Sequence, residues 1–551
     1  MDSIAEKIIA EDEEVASLVS SEPPKAEAEN EYFLTLKSAR EILKHKCKEI
    51  QQEAYQKAYA EKIASVTSDS AAVEVTADST EKIAKKAADT AYAKALPTKG
   101  RPIADLLSRY IRFIRIKPEI EGHEAALCFY DPDQGIYRGD SELLKDLISI
   151  IYPDANKKNA EDVLYKIARI APLRKIDTHY TAIGDQLYNA KTGKFEPFNP
   201  SRVVVRKIKT SYNPEAREPA IKGWTFTGWL DELFEGDEEL KALSIQIIKA
   251  CITGQSLEKI FWLYGEGGTG KGTLQQLIIN LVGMENIATL KITELNKSRF
   301  TTSILVGKSV VIGDDVQKNA VIKDTSDLFS LTTGDILTIE GKGKDPCSLR
   351  LQMTVIQSSN GFPIMQGDKS AIDRRFRILP FTSNFKGRPN KAIKDDYINR
   401  PEVLEYVLKL AIENPTKDIN PGKSKEELHD FQRENNHVLA FVEDFFTDSL
   451  QSTFLPNGFV WHVWGGYAEY NNIPNFKQPN ALHREIRTHL PPGFKTGSRK
   501  IPAGQHLPNG FRPRDDTPHY ANKDMREYRN GRETEEGRKK VGSERGYIRA
   551  K

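Results

Sequence analysis

The chain has 551 residues, too many for one hydrophobic core to serve, so roughly two to four domains are expected. Its 80 Lys+Arg stand against 78 Asp+Glu, so overall charge argues neither for nor against nucleic acid, and any such surface has to be built locally. Cys47, Cys128, Cys251 and Cys347 form no CxxC pair, which argues against a zinc site, and neither a basic-then-apolar leader nor an apolar run near about 18 residues is present, so a soluble intracellular protein without membrane contact is expected.

Residues 1 to 102 are rich in Ala, Glu, Lys and Ser and poor in aromatics. Residues 31 to 64 have helical periodicity, so the segment reads as a helical, flexible extension exposed to solvent. It carries no spaced acidic triad of the kind that two-metal nucleotidyl transfer needs, so no primase site is expected there. From 103 to 222 short helices and strands mix with ordinary apolar content, and a compact α+β domain is expected. Residues 223 to 390 alternate apolar strand-like runs with helical patterns, as a parallel sheet flanked by helices would. Residues 391 to 515 suggest a small helical module with aromatics and Pro-Gly turns. The charged stretch 516 to 551 reads as a disordered tail.

The densest chemistry lies in KIFWLYGEGGTGKGT, residues 259 to 273. An apolar strand runs directly into GxxxxGK, and an apolar-periodic helix follows. In the loop Gly265, Glu266, Gly267, Gly268, Thr269, Gly270, Lys271, Gly272 and Thr273, the glycines let backbone N–H groups turn toward phosphate oxygens, aided by the N-terminus of the next helix. Lys271 is positioned to reach the β and γ phosphates of ATP. Position 272 is Gly where Ser or Thr usually holds Mg²⁺, so Thr273 becomes the metal-side hydroxyl.

Next in order is VVIGDD, ending at Asp314 and Asp315, a strand that can lie beside the loop strand. Asp314 suits Mg²⁺ and Asp315 suits a general base for water. QMTVIQSSN then ends at Asn360, suited to sense a γ-phosphate from an adjacent strand end. In DRRFRILPF, Arg374 or Arg375 is a candidate for a guanidinium supplied to a neighbouring subunit; the plainer reading is an ion pair with Asp373.

The order GEGGTGKGT, VVIGDD, TTGDILTIEGKGKDP, QMTVIQSSN, DRRFRILPF resembles the superfamily 3 helicase core, in particular the phage/plasmid and poxvirus-type primase-helicase family. The resemblance implies an α/β fold: an AAA+-like P-loop ATPase core over 223 to 390, preceded by the α+β domain and followed by a winged-helix-like module. It also implies a ring, hexameric in the family, that moves on single-stranded DNA 3′ to 5′ with ATP and Mg²⁺ between subunits, in the cytoplasm of a bacterial host cell. Lys342 and Lys344 fall in the hairpin that touches DNA in the family's central channel, and the glycines around them suit a phosphate-seeking loop. In the C-terminal stretch, His483, Arg484 and Arg487 share one helix able to face phosphates. Thr269 and Gly272 depart from the family's usual residues, which bears on the metal ligand more than on the nucleotide.

Two rivals stand beside the helicase reading. One is an initiator that binds origin duplex and uses ATP only to control assembly. The other is a small-molecule kinase suggested by GKGT alone, disfavoured because the carboxylates, the Asn strand and the arginines follow in helicase order. Priming would fall to a separate primase or replication protein.

Overall fold

The computed structural model describes residues 36–69, 77–117, 125–295, 301–340, 347–365, 369–387, 390–415, 419–448, 450, 453–473, 477–501 and 542–549. The chain is a mixed α/β protein in two compact units. One takes in Met1–Val316, Thr325–Asn360 and Leu379–Asn420; the other takes in Gln317–Asp324, Gly361–Ile378 and Pro421–Lys551.

The first unit begins with the helix Leu36–Asp69. Ala39, Leu43 and Cys47, spaced four apart on one face, are buried in a core with Ile103, Leu107, Phe129, Ile148 and Ile167. The start of this helix is therefore part of the domain expected to begin at 103. The sequence misleads here because only these few apolar positions precede a long charged remainder. Two four-stranded sheets follow. One has the order Ile136–Arg138, Ala126–Asp131, Phe113–Ile116, Leu173–Arg174, and the other Lys194–Pro197, Gln186–Asn189, Tyr180–Ile183, Lys207–Ile208. The helices Ser141–Ile151 and Lys157–Ile170 start at Asp140 and Asn156, whose side chains accept the N–H groups of Leu143 and Asn159.

The central sheet contains β1 (Ile260–Tyr264), β2 (Ile287–Thr289), β3 (Val310–Val316), β4 (Thr354–Ser359) and β5 (Phe376–Pro380), of which Leu379 and Pro380 fall in the first unit. The spatial order is β2-β3-β4-β1-β5, and β2–β3, β3–β4 and β4–β1 are parallel. A parallel sheet is covered on both faces, so its strands are continuous apolar runs, and Ile260, Phe261, Trp262 and Leu263 are all buried. Helix α1 (Lys271–Val282) covers the sheet with Leu274, Leu277, Ile278 and Leu281, each worth about 1.5–3 kcal/mol when fully buried. The helix Pro401–Glu413, assigned by sequence to the C-terminal module, belongs to this unit and shares its core through Val403, Val407 and Leu408.

In the second unit the helices Gly422–Asn435, His437–Phe445, Asn457–Tyr470 and Pro479–His489 accompany a three-stranded antiparallel sheet ordered Phe454–Pro456, Gly542–Arg549, Phe494–Ile501. Phe441, Phe445, Phe446, Trp464, Phe494 and Tyr547 fill its core. The expectation of a disordered tail thus fails for 542–549, which is the middle strand of this sheet. Tyr547 is fully buried in it.

Among the described residues no helix is long and apolar enough to cross a membrane.

Candidate active site

The loop between β1 and α1 is shaped by what packs on it. A Cβ on Gly265 would lie 2.4 Å from the Phe381 carbonyl oxygen, and one on Gly270, which adopts φ +98, would lie 2.4 Å from Leu233 Cδ2. Glycine is required at both places for close approach, beyond any need to face a phosphate. The Thr269 hydroxyl, buried, donates to the Glu266 carbonyl at 2.8 Å and braces the turn. Thr273 is half-buried on the first turn of α1, and its N–H donates to the Gly270 carbonyl at 3.0 Å.

Lys271 is the buried charge at the centre. Its Nζ donates to the carbonyls of Gly265 at 2.6 Å and Glu266 at 2.7 Å, and to Asn360 Oδ1 at 3.0 Å. Burial pulls its pKa below the usual lysine value, while Asp315 and Asp314 oppose that shift. The ammonium and both carboxylates therefore share one electrostatic environment.

Asp314 and Asp315 stand exposed where the β3–β4 register shifts between Gly313 and Val316, an irregularity of the kind that re-aims side chains. Asp315 is held at φ +56, a conformation costly for a non-glycine residue. The buried Ser358 serves both: its hydroxyl donates to Asp314 Oδ1 at 2.6 Å and accepts the Asp315 N–H at 3.1 Å. Trp262 Nε1 donates to Ser359 Oγ at 2.8 Å, tying β1 to β4 just before Asn360. The structure thus brings Lys271, Asp314, Asp315 and Asn360 together, with one difference from the expected layout. The carboxylate strand is not beside the loop strand, because β4 lies between them and carries Asn360 into direct reach of Lys271.

Sequence reasoning missed Ser358. Its signal was a run of polar residues, Gln357, Ser358 and Ser359, in a strand whose six residues are all buried: polar groups so placed need partners. Arg374 and Arg375 end the helix Lys369–Arg375 of the second unit, and Asp373 on the same helix accepts a hydrogen bond from Gln432 Nε2. Lys342 and Lys344 lie outside the described residues. The strands that flank them, Ile336–Ile339 and Cys347–Arg350, pair antiparallel as a hairpin. On the helix Pro479–His489, Arg484 and Arg487 are exposed, whereas His483 is buried with Nδ1 2.7 Å from the Tyr547 hydroxyl. His483 is therefore a satisfied core residue rather than one facing phosphates.

Residues 9–235 match the family described as D5 N terminal like, and residues 433–527 match that described as Poxvirus D5 protein-like. The chain belongs to the D5-type primase-helicase family. Residues 263–375 of this D5-type chain, which hold the site, also match a family of unknown function, DUF5906. A helicase-named protein of Acanthamoeba polyphaga mimivirus, L207/L206, is 22% identical over 258 residues, covering 44% of this chain and 26% of the relative. The D5-type chain thus spans about a quarter of the length of that relative. Two solved apo structures of the NrS-1 C-terminal region are similar at 16% identity. One, of its residues 305–718, has a TM-score of 0.43 and covers 74% of this chain and 97% of that one; the other, the A form, has 0.42 and covers 71% and 87%.

The residues present fit a nucleoside triphosphate with Mg²⁺. A buried cation, a glycine loop opening a helix and a cavity of about 750 Å³ beside it suit the nucleotide. Among the described residues no group of three or more His, Cys, Asp or Glu could hold a metal ion. Mg²⁺ does not require one, since it is usually held by one or two carboxylates together with substrate phosphates.

Proposed function

We propose that this chain is an ATP-driven replicative DNA helicase of a phage, plasmid or similar mobile element, built on an AAA+-like P-loop core and working as a ring, hexameric by family resemblance. The observation that carries the reading is the contact of Lys271 with Asn360 in the shared field of Asp314 and Asp315. Lysine, paired carboxylates and a polar sensor at the ends of parallel strands are the parts that phosphoryl transfer to water needs.

In this reading the Lys271 ammonium leaves its loop carbonyls for the β and γ phosphates, offsetting charge on the transferring group. Asp314 and the Thr273 hydroxyl would hold Mg²⁺, which when bound would offset negative charge on the triphosphate. Asp315 accepts the proton of the attacking water, and Asn360 orients that water, as its place beside Lys271 allows. Arg374 or Arg375 enters the nucleotide site of the neighbouring subunit, which makes hydrolysis depend on the ring. Lys342 and Lys344 contact the backbone of single-stranded DNA in the channel and translocate 3′ to 5′. The winged-helix reading of the second unit is supported by the helices His437–Phe445, Asn457–Tyr470 and Pro479–His489 and the sheet of Phe454–Pro456, Gly542–Arg549 and Phe494–Ile501.

The test is ATP hydrolysis with and without single-stranded DNA, together with strand displacement on a tailed duplex. DNA-stimulated turnover and unwinding, both lost in Lys271→Ala, are expected. ATP hydrolysis indifferent to DNA would overturn the motor reading and leave the assembly-controlling initiator.

A further inference from the structure

We infer that the cavity beside the glycine loop is the base-and-ribose site of the nucleotide, with Trp224 as the platform on which the base lies. This rests on the reading that the loop binds a triphosphate, and it adds where the rest of that ligand goes. The cavity, about 750 Å³, is lined by Gly268, Gly270 and Thr273 of the loop and the first helical turn and by the rings of Trp224, Trp229 and Phe385. Such a volume is ordinary for a small-molecule site. A ligand that suits both sets of residues has an anionic end for the loop and a flat aromatic end for the rings, which describes a nucleotide and not a free phosphate.

Trp224 is presented by a tight turn. Ile221 and Trp224 exchange two backbone hydrogen bonds, 2.8 and 2.9 Å, across Lys222 at φ +50 and Gly223 at φ +83. The indole is braced by Tyr397, 5.3 Å between ring centres, and by Trp229 at 6.4 Å. A ring held on two sides loses little freedom when a base stacks on it. The Nε1–H of Trp224 is itself buried, so what the ring offers a ligand is its apolar face.

Charge agrees with the assignment. Lys222, Lys386, Lys391 and Lys394 line the cavity against two carboxylates, Glu232 and Asp395. Lys386 Nζ already spans the loop to Glu266 Oε2 at 3.2 Å, and Lys394 Nζ lies 4.0 Å from where a Cβ on Gly272 would stand. Lys386 and Lys394 thus supplement Lys271 on the phosphate side, leaving Trp224 to hold the base.

The experiment compares equilibrium binding of ATP and of inorganic tripolyphosphate to the full chain, as wild type, Trp224→Leu and Trp224→Phe. Stacking of a base on an aromatic ring predicts that wild type binds ATP at least about tenfold more tightly than tripolyphosphate. Trp224→Leu should bring ATP down to the tripolyphosphate affinity and leave tripolyphosphate unchanged. Trp224→Phe should fall between, keeping a smaller aromatic face for the stack. Unchanged tripolyphosphate binding also reports that the loop is intact in the variants. Equal affinity of wild type for the two ligands, or full ATP affinity in Trp224→Leu, overturns the base site while the phosphate loop stands. This wild-type comparison decides even if Trp224→Leu does not fold. Wild type that binds neither ligand overturns the phosphate-loop reading and this inference with it.

Discussion

Replacing Ser358 with Ala removes one hydroxyl and two hydrogen bonds: the one it donates to Asp314 at 2.6 Å and the one it accepts from the Asp315 N–H at 3.1 Å. A hydrogen bond to a charged group contributes about 1.5–3 kcal/mol and a neutral one about 1 kcal/mol. Asp314 is exposed, so water replaces part of the first bond, and a loss of about 2 kcal/mol is expected for the pair. The larger consequence is positional. Asp315 sits at φ +56, a conformation that persists only where its surroundings enforce it, and its N–H bond to Ser358 is one of those constraints. Removing a partner that orients a metal-binding carboxylate typically costs about 10–100-fold in metal affinity or activity. Steady-state ATP hydrolysis by Ser358→Ala, titrated with Mg²⁺, should therefore show a half-saturating Mg²⁺ concentration raised at least about tenfold, with a lower kcat. ATP binding measured without Mg²⁺ should be unchanged, because Lys271 and the loop are untouched. An unaltered Mg²⁺ titration in a folded Ser358→Ala protein would refute the assignment of Asp314 to the metal.

Gly270→Ala forces a side chain to φ +98 and sets its Cβ 2.4 Å from Leu233 Cδ2; a stability loss of about 3 kcal/mol in urea denaturation, with weakened tripolyphosphate binding, is expected. Tyr547→Phe strips the buried His483 Nδ1 of its partner, so the second unit should lose about 1–3 kcal/mol in the same assay, whereas a disordered tail would leave stability untouched. Burial lowers the pKa of His483 below its unfolded value, so the unfolded state binds the extra proton first, and stability is retained above about pH 6.5 and lost as pH falls below it. Denaturation midpoints at pH 7 and pH 5 should show this decline in wild type and a shallower one in His483→Gln.

What could be read from sequence follows how local each feature is. The loop from Gly265 to Thr273 was legible because strand, glycines, lysine and helix are contiguous, and each constrains the backbone of the next. The carboxylates and Asn360 were legible as strand ends, but the insertion of β4 between β1 and β3 is a pairing choice among distant segments, on which periodicity is silent. Strand Gly542–Arg549 escaped for a related reason. GSERGYIR holds one large aromatic and one Ile among Gly and charge, and its partner strand ends at Ile501, across forty intervening residues. The helix Leu36–Asp69 was legible as a helix, yet its docking was not, because Ala39 and Cys47 carry little of the apolar bulk that marks a buried face.

The glycine loop and the segment after β5 form one mechanical piece. The Phe381 N–H donates to the Tyr264 carbonyl at 2.7 Å, immediately before the loop, and the Phe385 N–H donates to the Gly268 carbonyl at 3.1 Å, inside it. Gly265 is pressed against the Phe381 carbonyl, and Lys386 reaches Glu266, so residues 381–386 clamp the loop by backbone at two points and by charge at a third. A displacement of that segment cannot leave the loop unchanged, since moving Phe385 by even an ångström lengthens a 3.1 Å hydrogen bond beyond bonding distance. The same strand begins at Phe376, directly after Arg375 in the chain. In the proposed ring, the path from an arginine contact to the phosphate loop is this single short β-strand and the hydrogen bonds by which residues 381–386 hold the loop. Strands transmit displacement along their length with little give, because their hydrogen bonds and buried side chains resist sliding. On the proposed reading of a ring, this strand couples an arginine contact to the phosphate loop with no long-range network of side chains required.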